Sequence, residues 1–337
     1  MPGSGRRRIL TALAAVLAVA TPGLVGACTG AGDGLTLVAY TTPREVYEEV
    51  IPAFRDTPAG DGVQVFQSYG PSGDQSRIVE SGLPADVVAL ALEPDITRLV
   101  DAGLVDPGWD DGPTRGMVST SVVALAVREG NPKGVRGWDD LLRDDIEVIT
   151  PNPFTSGGAQ WNVAAAYGQR LARGGTHEDG LRYLERLFAN VSVQPKGSRE
   201  ALQVFRAGKG DVLIAYENEA ITARAKGEPL DYVIPPETIL IENPIAVTTD
   251  SARPDQARAF VRYLLGPDAQ RAFARLGYRS VRPEVVAEHA ARYPTPPRLF
   301  TMDGELGGWQ RFRGEFFAPD GGHLAEILAG RDPAAAR

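Results

Sequence analysis

The chain of 337 residues is poor in the side chains that most often carry chemistry. It has one cysteine, Cys28, and three histidines, His177, His289 and His323. Because no cysteine follows Cys28, the rest of the chain has no disulfide framework, thiol nucleophile or thiolate metal site. The sequence also lacks a Gly-x-Ser-x-Gly elbow, a Walker loop, a His-Glu-x-x-His motif and a dinucleotide fingerprint. We therefore predict that the protein is not an enzyme and uses no cofactor.

Net charge and length limit which partners and how many domains the protein is expected to have. The formal charge of −8 argues against nucleic acid or an anionic membrane surface as the main partner. It leaves a small anion open, because a site can be locally positive on an acidic protein. A composition of 43% hydrophobic and 23% charged residues is ordinary for a soluble globular protein, and the length favours two domains.

The first residues carry the pattern of an export signal. Three arginines at 6–8 precede an apolar stretch at 9–24, which is short for a membrane span, so residues 1–27 are predicted to be a signal peptide. Cys28 follows Val25-Gly26-Ala27, which resembles the lipobox of bacterial lipoproteins. A chance cysteine in a plain signal peptide is the alternative. The paired arginines leave open whether export uses the general or the twin-arginine route.

The lipobox reading gives a predicted location. Lipidated Cys28 would anchor the exported chain to the outer face of the cytoplasmic membrane. Residues 28–34 contain three glycines and are predicted to form a short flexible tether between this anchor and the folded part.

Strands and helices alternate along the rest of the chain, which predicts an α/β fold with mostly parallel sheets. The last sixty residues, which include Trp309, are expected to be irregular and to end in a terminal helix. Strands are predicted at 35–40, 63–68, 85–92, 118–127, 146–149, 191–194, 211–216, 232–235 and 240–248.

The stretch at 150–162 is the most informative segment. It links the apolar end of a strand to an Ala-rich helix through Ser156-Gly157-Gly158. The first turn of a helix has unpaired backbone N–H groups and a partial positive charge, and glycines let an anion approach closely. We therefore predict an anion site here, with a plain connection as the alternative.

Three other helix starts share this arrangement of strand, short polar loop and helix. They begin at Thr41-Thr42, at Ser72-Gly73 and at Gly197-Ser198. Thr42 is expected to be an N-cap, followed by Pro43 at the first helical position. Loops at the carboxyl ends of strands gather at one edge of an α/β sheet, so the four could surround one small anion. Ordinary capping is the alternative for each of them.

Two further features allow other functions. Glu217 and Glu219 could form a carboxylate pair for acid–base chemistry, but at this spacing after a strand we expect them to cap a helix or brace a cleft. Trp161, Trp309 and Tyr216 could stack on a sugar, but as isolated aromatics they are expected to pack in the core or at a hinge.

Several segments in fixed order resemble the sulfate/thiosulfate-binding proteins of ABC importers. The resemblance runs from about residue 35 to 325 and is most specific at 151–162 and at GDVLIAYENEA, residues 210–220. The other matching segments are 39–45, 68–75, 85–92 and LGGW at 306–309. This family has the two-domain periplasmic-binding-protein fold (type II), with a hinged cleft built from two crossing chains. The resemblance implies that residues 35–118 and 246–337 form domain I and residues 119–245 form domain II.

The family holds its anion with neutral donors, and the positions transfer one by one. The hydroxyl donors would be Ser72 and Ser156, the backbone N–H donors Thr41, Gly157, Gly158 and Ser198, and the remaining position is Tyr216. The family has an indole where this chain has Tyr216, and often a basic residue where it has Asp74.

The resemblance also implies the function. The chain would be a monomeric solute-binding lipoprotein that captures sulfate or thiosulfate in the cleft. It would deliver the anion to an ABC permease coupled to an ATPase, both on separate chains. A site made of donors favours a fully deprotonated dianion over a protonated phosphate, which needs an acceptor. A receptor for another tetrahedral oxyanion (phosphate, molybdate), an enzyme acting on sulfate or phosphate esters and a surface lipoprotein with a structural role are the alternatives.

Overall fold

The computed structural model describes residues 34–318 and 320–330. The predicted signal peptide, the tether up to residue 33 and the lipidation site at Cys28 lie outside these ranges. No helix in the described ranges combines the length and the apolar character needed to cross a membrane.

Ten strands are present in the described part of the chain. They are β1 (Gly34–Tyr40), β2 (Gln64–Gly70), β3 (Val87–Ala89), β4 (Met117–Arg128), β5 (Val148–Ile149), β6 (Val191–Val193), β7 (Val212–Tyr216), β8 (Leu230–Val233), β9 (Glu237–Val247) and β10 (Arg298–Phe300).

Helices follow or separate most of these strands, and a 3₁₀ helix covers Trp138–Leu142. The α-helices are α1 (Arg44–Arg55), α2 (Ser72–Glu80), α3 (Glu93–Asp101), α4 (Gly157–Ala172), α5 (His177–Asn190), α6 (Ser198–Arg206), α7 (Glu217–Ala225), α8 (Pro254–Leu264), α9 (Pro267–Arg275), α10 (Pro283–Glu288), α11 (Met302–Glu305), α12 (Trp309–Phe316) and α13 (His323–Ala329). The α/β class predicted from the sequence is confirmed.

Eight of the ten strands form one path in the order β2-β1-β3-β9-β4-β7-β5-β6, while β10 pairs with β9 and β8 with β4 beside it. Pairing is parallel within β2-β1-β3 and within β7-β5-β6. We call β1–β3 with α1–α3 the first lobe, and β5–β7 with α4–α7 the second lobe. The parallel pairing within each lobe is what strand–helix alternation predicts.

The two long strands β4 and β9 link the lobes. They pair antiparallel with each other, while β9 also pairs antiparallel with β3 and β4 with β7. The expected mostly parallel sheet is therefore wrong at its centre, because alternation with helices constrains only strands that are joined by crossovers. The predicted domain boundaries, after residues 118 and 245, fall within β4 and β9.

Two further expectations about elements were wrong. The last sixty residues contain the expected terminal helix, α13, but the rest is not irregular, since it also forms α10, α11, α12 and β10, whose short lengths give little local periodicity. Apolar side chains hold three of these helices in place, since Met302 of α11, Leu324 of α13 and Trp309, Phe312 and Phe316 of α12 are buried in the same apolar cluster as Trp161. In addition, Thr42 is not the N-cap of α1, and Pro43 is not its first helical residue. The helix begins at Arg44 with Pro43 at the N-cap position and no side-chain cap, and the N–H of Arg44 bonds to the backbone carbonyl of Thr41 at 3.4 Å instead.

Candidate functional site

The start of α4 contains the three residues that the sequence singles out. Ser156 is the N-cap, with its Oγ accepting a 3.3 Å hydrogen bond from the N–H of Ala159. This bond uses an acceptor position and leaves the hydroxyl hydrogen of Ser156 free. Gly157 and Gly158 occupy the first two helical positions, where N–H groups have no partner within the helix. All three residues are buried.

Gly157 touches the first lobe. A Cβ atom built at this position would lie 2.2 Å from Leu92 Cδ2, 3.0 Å from Ala91 Cβ and 3.2 Å from Ser72 Cβ. Only a glycine fits so close to these side chains. The contact brings the start of α4, in the second lobe, against the start of α2, in the first.

Gly158 touches the other predicted donors of the second lobe. A Cβ atom here would lie 2.5 Å from Ser198 Oγ, 3.5 Å from Ser156 Oγ and 3.6 Å from Tyr216 Cε1. The starts of α4 and α6 and the end of β7 therefore meet at one point, which is the convergence expected of loops at the carboxyl ends of strands.

Thr41 joins this group through Arg199, the residue after Ser198. Arg199 Nη2 donates to the Thr41 carbonyl at 3.2 Å, and the guanidinium makes two 2.9 Å bonds to the carboxylate of Glu45. Lys226 binds the same carboxylate at 2.6 Å. Although burial alone would raise the pKa of Glu45, the bonds from Arg199 and Lys226 hold it at about 2. The carboxylate stays charged and ties α1 to α6 and α7.

A second ion pair connects the lobes beside the loop at 152–155. Lys196 of the second lobe lies 2.7 Å from Asp74 of α2, which also pairs with Arg77. Burial opposes ionisation of Asp74, but the bonds from Lys196 and Arg77 outweigh it and lower its pKa. Asp74 thus has two cationic partners, which lessens its role as an acceptor for a ligand.

The hydroxyl of Ser72 is engaged within the first lobe. It donates to Asp95 Oδ2 at 2.6 Å and accepts from the N–H of Ala91 at 2.9 Å. Its single hydrogen therefore points to the carboxylate. The group that Ser72 can direct at a ligand is its backbone N–H at the first position of α2, whereas the sequence prediction assigned the hydroxyl.

Tyr216, whose ring lies near Gly158 in the second lobe, offers a hydroxyl as a donor. Its side chain is fully buried, and its hydroxyl makes no hydrogen bond of normal geometry within the described part of the chain, although the side chain of Asn243 lies close enough to interact with it. Burial raises the pKa of Tyr216 well above its usual range. The phenol therefore keeps its proton and can donate it to a group that enters beside Gly158.

The two carboxylates after β7 have structural partners. Glu217 forms a nearly buried ion pair with Arg279, with bonds of 2.7 and 3.1 Å. Glu219 caps α7 by accepting from the N–H of Tyr216 at 3.2 Å. These contacts match the expected bracing and capping roles. Trp161 and Trp309 are also buried, in a T-shaped contact at 4.6 Å, so neither presents an exposed face to a sugar.

Glu219 makes stability depend on pH. Burial raises its pKa from 4.5 to about 7. Between these values the folded state holds a proton that the unfolded state releases, so Glu219 lowers the free energy of unfolding as pH rises. Glu219→Gln should remove this loss. Relative to wild type, the variant should gain on the order of 3 kcal/mol between pH 4 and pH 8. Urea unfolding of both proteins at pH 4 and pH 8 measures this gain in the free energy of unfolding. If that free energy changed with pH to the same extent in both proteins, the prediction would be contradicted.

Sequence reasoning missed the ion pair of Arg199 with Glu45 and the bond of Trp161 to Ala91, which join the lobes, and the bond of Ser72 to Asp95 within the first lobe. Arg199 and Glu45 each lie next to a predicted donor loop and carry opposite charges, which is the one signal that could have paired them. The described residues contain no group of three or more His, Cys, Asp or Glu side chains placed to hold a metal ion.

The chain is similar to known proteins over most of its length. A family profile described as bacterial extracellular solute-binding protein matches residues 35–279. The sulfate-binding protein of Synechococcus elongatus is 42% identical, over 94% of this chain and 96% of the relative. The thiosulfate-binding protein of Pseudomonas aeruginosa is 33% identical, over 90% and 95%. The structure of the sulfate-binding protein SubI from Mycobacterium tuberculosis H37Rv aligns with a TM-score of 0.82 and 46% identity, over 84% of this chain and 99% of SubI.

Proposed function

Because the chain belongs to the bacterial extracellular solute-binding proteins, we propose that it captures sulfate or thiosulfate outside the cytoplasm for an ABC importer. The observation that carries the proposal is that Gly157 and Gly158 lie against four of the other five predicted donors. Gly157 lies against Ser72, and Gly158 against Ser156, Ser198 and Tyr216. One anion placed there would receive hydrogen bonds from both lobes.

The donors favour a dianion without a proton. Near neutral pH sulfate carries only hydrogen-bond acceptors, so each donor of the site could bond to one of its oxygen atoms. A monoprotonated phosphate would need an acceptor, but the nearby carboxylates of Asp74 and Glu217 are engaged with cations. A mismatched buried group costs about 1–3 kcal/mol, which is roughly a ten- to hundredfold loss of affinity. Thiosulfate keeps the same charge and tetrahedral shape.

Capture would proceed by closure of the lobes. An anion bound at the start of α4 gains the donors of the first lobe only when α2 approaches Gly157, so binding favours the closed form. Glu45 with Arg199, and Asp74 with Lys196, join the lobes in that form. The permease and its ATPase, as separate chains, would recognise the closed form and supply the energy.

The remaining features of the proposal follow the sequence. Domain I would comprise residues 35–118 and 246–337, and domain II residues 119–245. Lipidated Cys28 would tether a monomer to the outer face of the cytoplasmic membrane. With the carboxylates of the cleft engaged in structural bonds, the protein would bind its ligand without catalysing a reaction.

Titration calorimetry with sulfate, thiosulfate, phosphate and molybdate tests the function. We expect saturable binding of sulfate or thiosulfate, and weaker binding of phosphate by at least about tenfold. Absence of saturable binding for all four anions would contradict the proposal. Preferred binding of phosphate or molybdate would assign the site to another oxyanion.

Replacing Ser156 by alanine should weaken sulfate binding by at least several-fold, on the order of tenfold, because a hydrogen bond to a charged group is lost. The matched control is Thr176→Ala, which removes the N-cap of α5, where Thr176 Oγ1 accepts from the N–H of Asp179 at 3.2 Å. Both variants should lose about 1 kcal/mol of stability. Equal sulfate affinity in the two would mean that the Ser156 hydroxyl does not contact the anion.

A further inference from the structure

Trp161 makes a direct hydrogen bond between the lobes. It lies on α4, one turn after Gly157 and Gly158, and its side chain is fully buried. The indole Nε1 donates to the carbonyl oxygen of Ala91 at 2.8 Å. Ala91 follows β3 in the first lobe, so the bond crosses from the second lobe to the first.

The bond continues to the start of α2. The N–H of Ala91 donates to Ser72 Oγ at 2.9 Å, and this hydroxyl is held in turn by Asp95 Oδ2 at 2.6 Å. Ser72 is the first residue of α2. Two hydrogen bonds through Ala91 therefore connect α4 with the first turn of α2, and a third continues from Ser72 to Asp95 of α3. Both helix starts carry predicted anion donors.

The carbonyl of Ala91 has a second donor that does not belong to the second lobe. Asn243 Nδ2, on the linking strand β9, donates to the same oxygen at 3.1 Å. This bond keeps the Ala91 carbonyl satisfied when α4 moves away. The T-shaped contact with Trp309, at 81° between the ring planes, fixes the plane of the Trp161 indole. Because Trp161 and Ala91 lie on different lobes, the hydrogen bond of the indole forms only when the lobes are in contact.

We propose that Trp161 is a positioning residue for anion capture, whose indole N–H bonds to Ala91 on closure and sets the spacing between the starts of α2 and α4. The inference rests on the proposed function. Trp161 does not touch the anion, so its contribution stabilises the closed form. Its loss should therefore speed the release of sulfate and leave association, which begins in the open form, little changed.

The test compares two buried tryptophans that each donate to a backbone carbonyl, only one of which makes this bond between the lobes. Trp161→Phe keeps an aromatic ring but removes the N–H. The matched control is Trp138→Phe, because Trp138 is also fully buried and its Nε1 donates to a backbone carbonyl, that of Glu237, at 2.7 Å. Trp138 packs against Tyr183 of the second lobe, away from Gly157. Stopped-flow kinetics and thermal unfolding are measured on the wild type and both variants, with and without sulfate.

Trp161→Phe should release sulfate about three- to tenfold faster, with an association rate within about twofold of wild type. The rise in Tm that sulfate produces should be smaller in this variant. Trp138→Phe should lower Tm equally with and without sulfate and keep the wild-type Kd.

Two results would overturn the inference. One is a sulfate affinity of Trp161→Phe within about twofold of wild type, less than the loss expected for one hydrogen bond, which would make the bond merely structural. The other is a loss of affinity carried by slower association alone. If the wild type and Trp138→Phe bind neither sulfate nor thiosulfate, the proposed function itself is wrong and the inference falls with it.

Discussion

A Gly157→Asp variant is expected to fold and to bind no measurable sulfate. The added Cβ would lie 2.2 Å from Leu92 Cδ2, so the start of α4 could not approach the first lobe as it does in the structure. The backbone N–H groups of α4 and α2 would then no longer reach one anion together. This steric effect alone prevents the closed arrangement.

The carboxylate adds a second effect. A lost hydrogen bond to a charged group costs about 1.5–3 kcal/mol. Two like charges about 4 Å apart repel each other by about 4 kcal/mol at an effective dielectric constant of 20. Since 1.4 kcal/mol is tenfold in Kd, the combined loss is about a thousandfold or more.

Calorimetry with sulfate measures the loss, and circular dichroism checks that the variant is folded. The matched control is Gly314→Asp, on the exposed surface of α12, where an added Cβ would have no atom within 4 Å. It should bind sulfate as the wild type does. Unchanged affinity in Gly157→Asp would mean that the anion site lies elsewhere in the chain.

Arg279→Met should lower the free energy of unfolding by about 3–5 kcal/mol at neutral pH. Arg279 is the cationic partner of Glu217, and the two side chains are 12% and 3% exposed. Without Arg279 the carboxylate of Glu217 would be buried without a charge partner. Burial already raises the pKa of Glu217 despite the bonds from Arg279. The variant should therefore regain stability as pH falls, because protonation removes the unpaired charge.

Urea unfolding measures this difference, and a surface ion pair provides its control. Arg271 binds Glu288 through two bonds of 2.8 Å, but both side chains are about 40% exposed. Arg271→Met should cost no more than about 1 kcal/mol. Adding Glu217→Leu to Arg279→Met should recover part of the lost stability. A similar small cost for both single variants would contradict a buried charge at Glu217.

Local patterns predicted a large part of the fold. The period of apolar residues placed most strands within a few positions, and the Ser-Gly-Gly turn marked the start of α4, where Ser156 is the N-cap. The same patterns failed where order depends on distant partners. The pairing of β4 with β9 and the helices α10 to α12 have little local signal, since packing decides both.

In the candidate site, too, local patterns predicted some features and failed for those that depend on distant residues. The sequence indicated the loops at Thr41, Ser72, Ser156 and Ser198, because strand ends followed by small polar residues and a helix form a local pattern. It did not indicate that the Ser72 hydroxyl is taken by Asp95. A hydroxyl has one hydrogen, and which acceptor receives it depends on a residue 23 positions away.

By itself, the sequence determined that the Ser156-Gly157-Gly158 turn begins a helix with free N–H donors, because caps and glycines act on neighbouring backbone groups. The resemblance of its motifs to one family also indicated the ligand class. Only the tertiary structure decided what that turn meets: Leu92, Ala91 and Ser72 against Gly157, and Ser198 and Tyr216 against Gly158. The bonds of Arg199 to Glu45 and of Trp161 to Ala91 span 154 and 70 positions of the chain. Contacts at such separations leave no periodic trace in the sequence, because they depend on how the two lobes pack against each other.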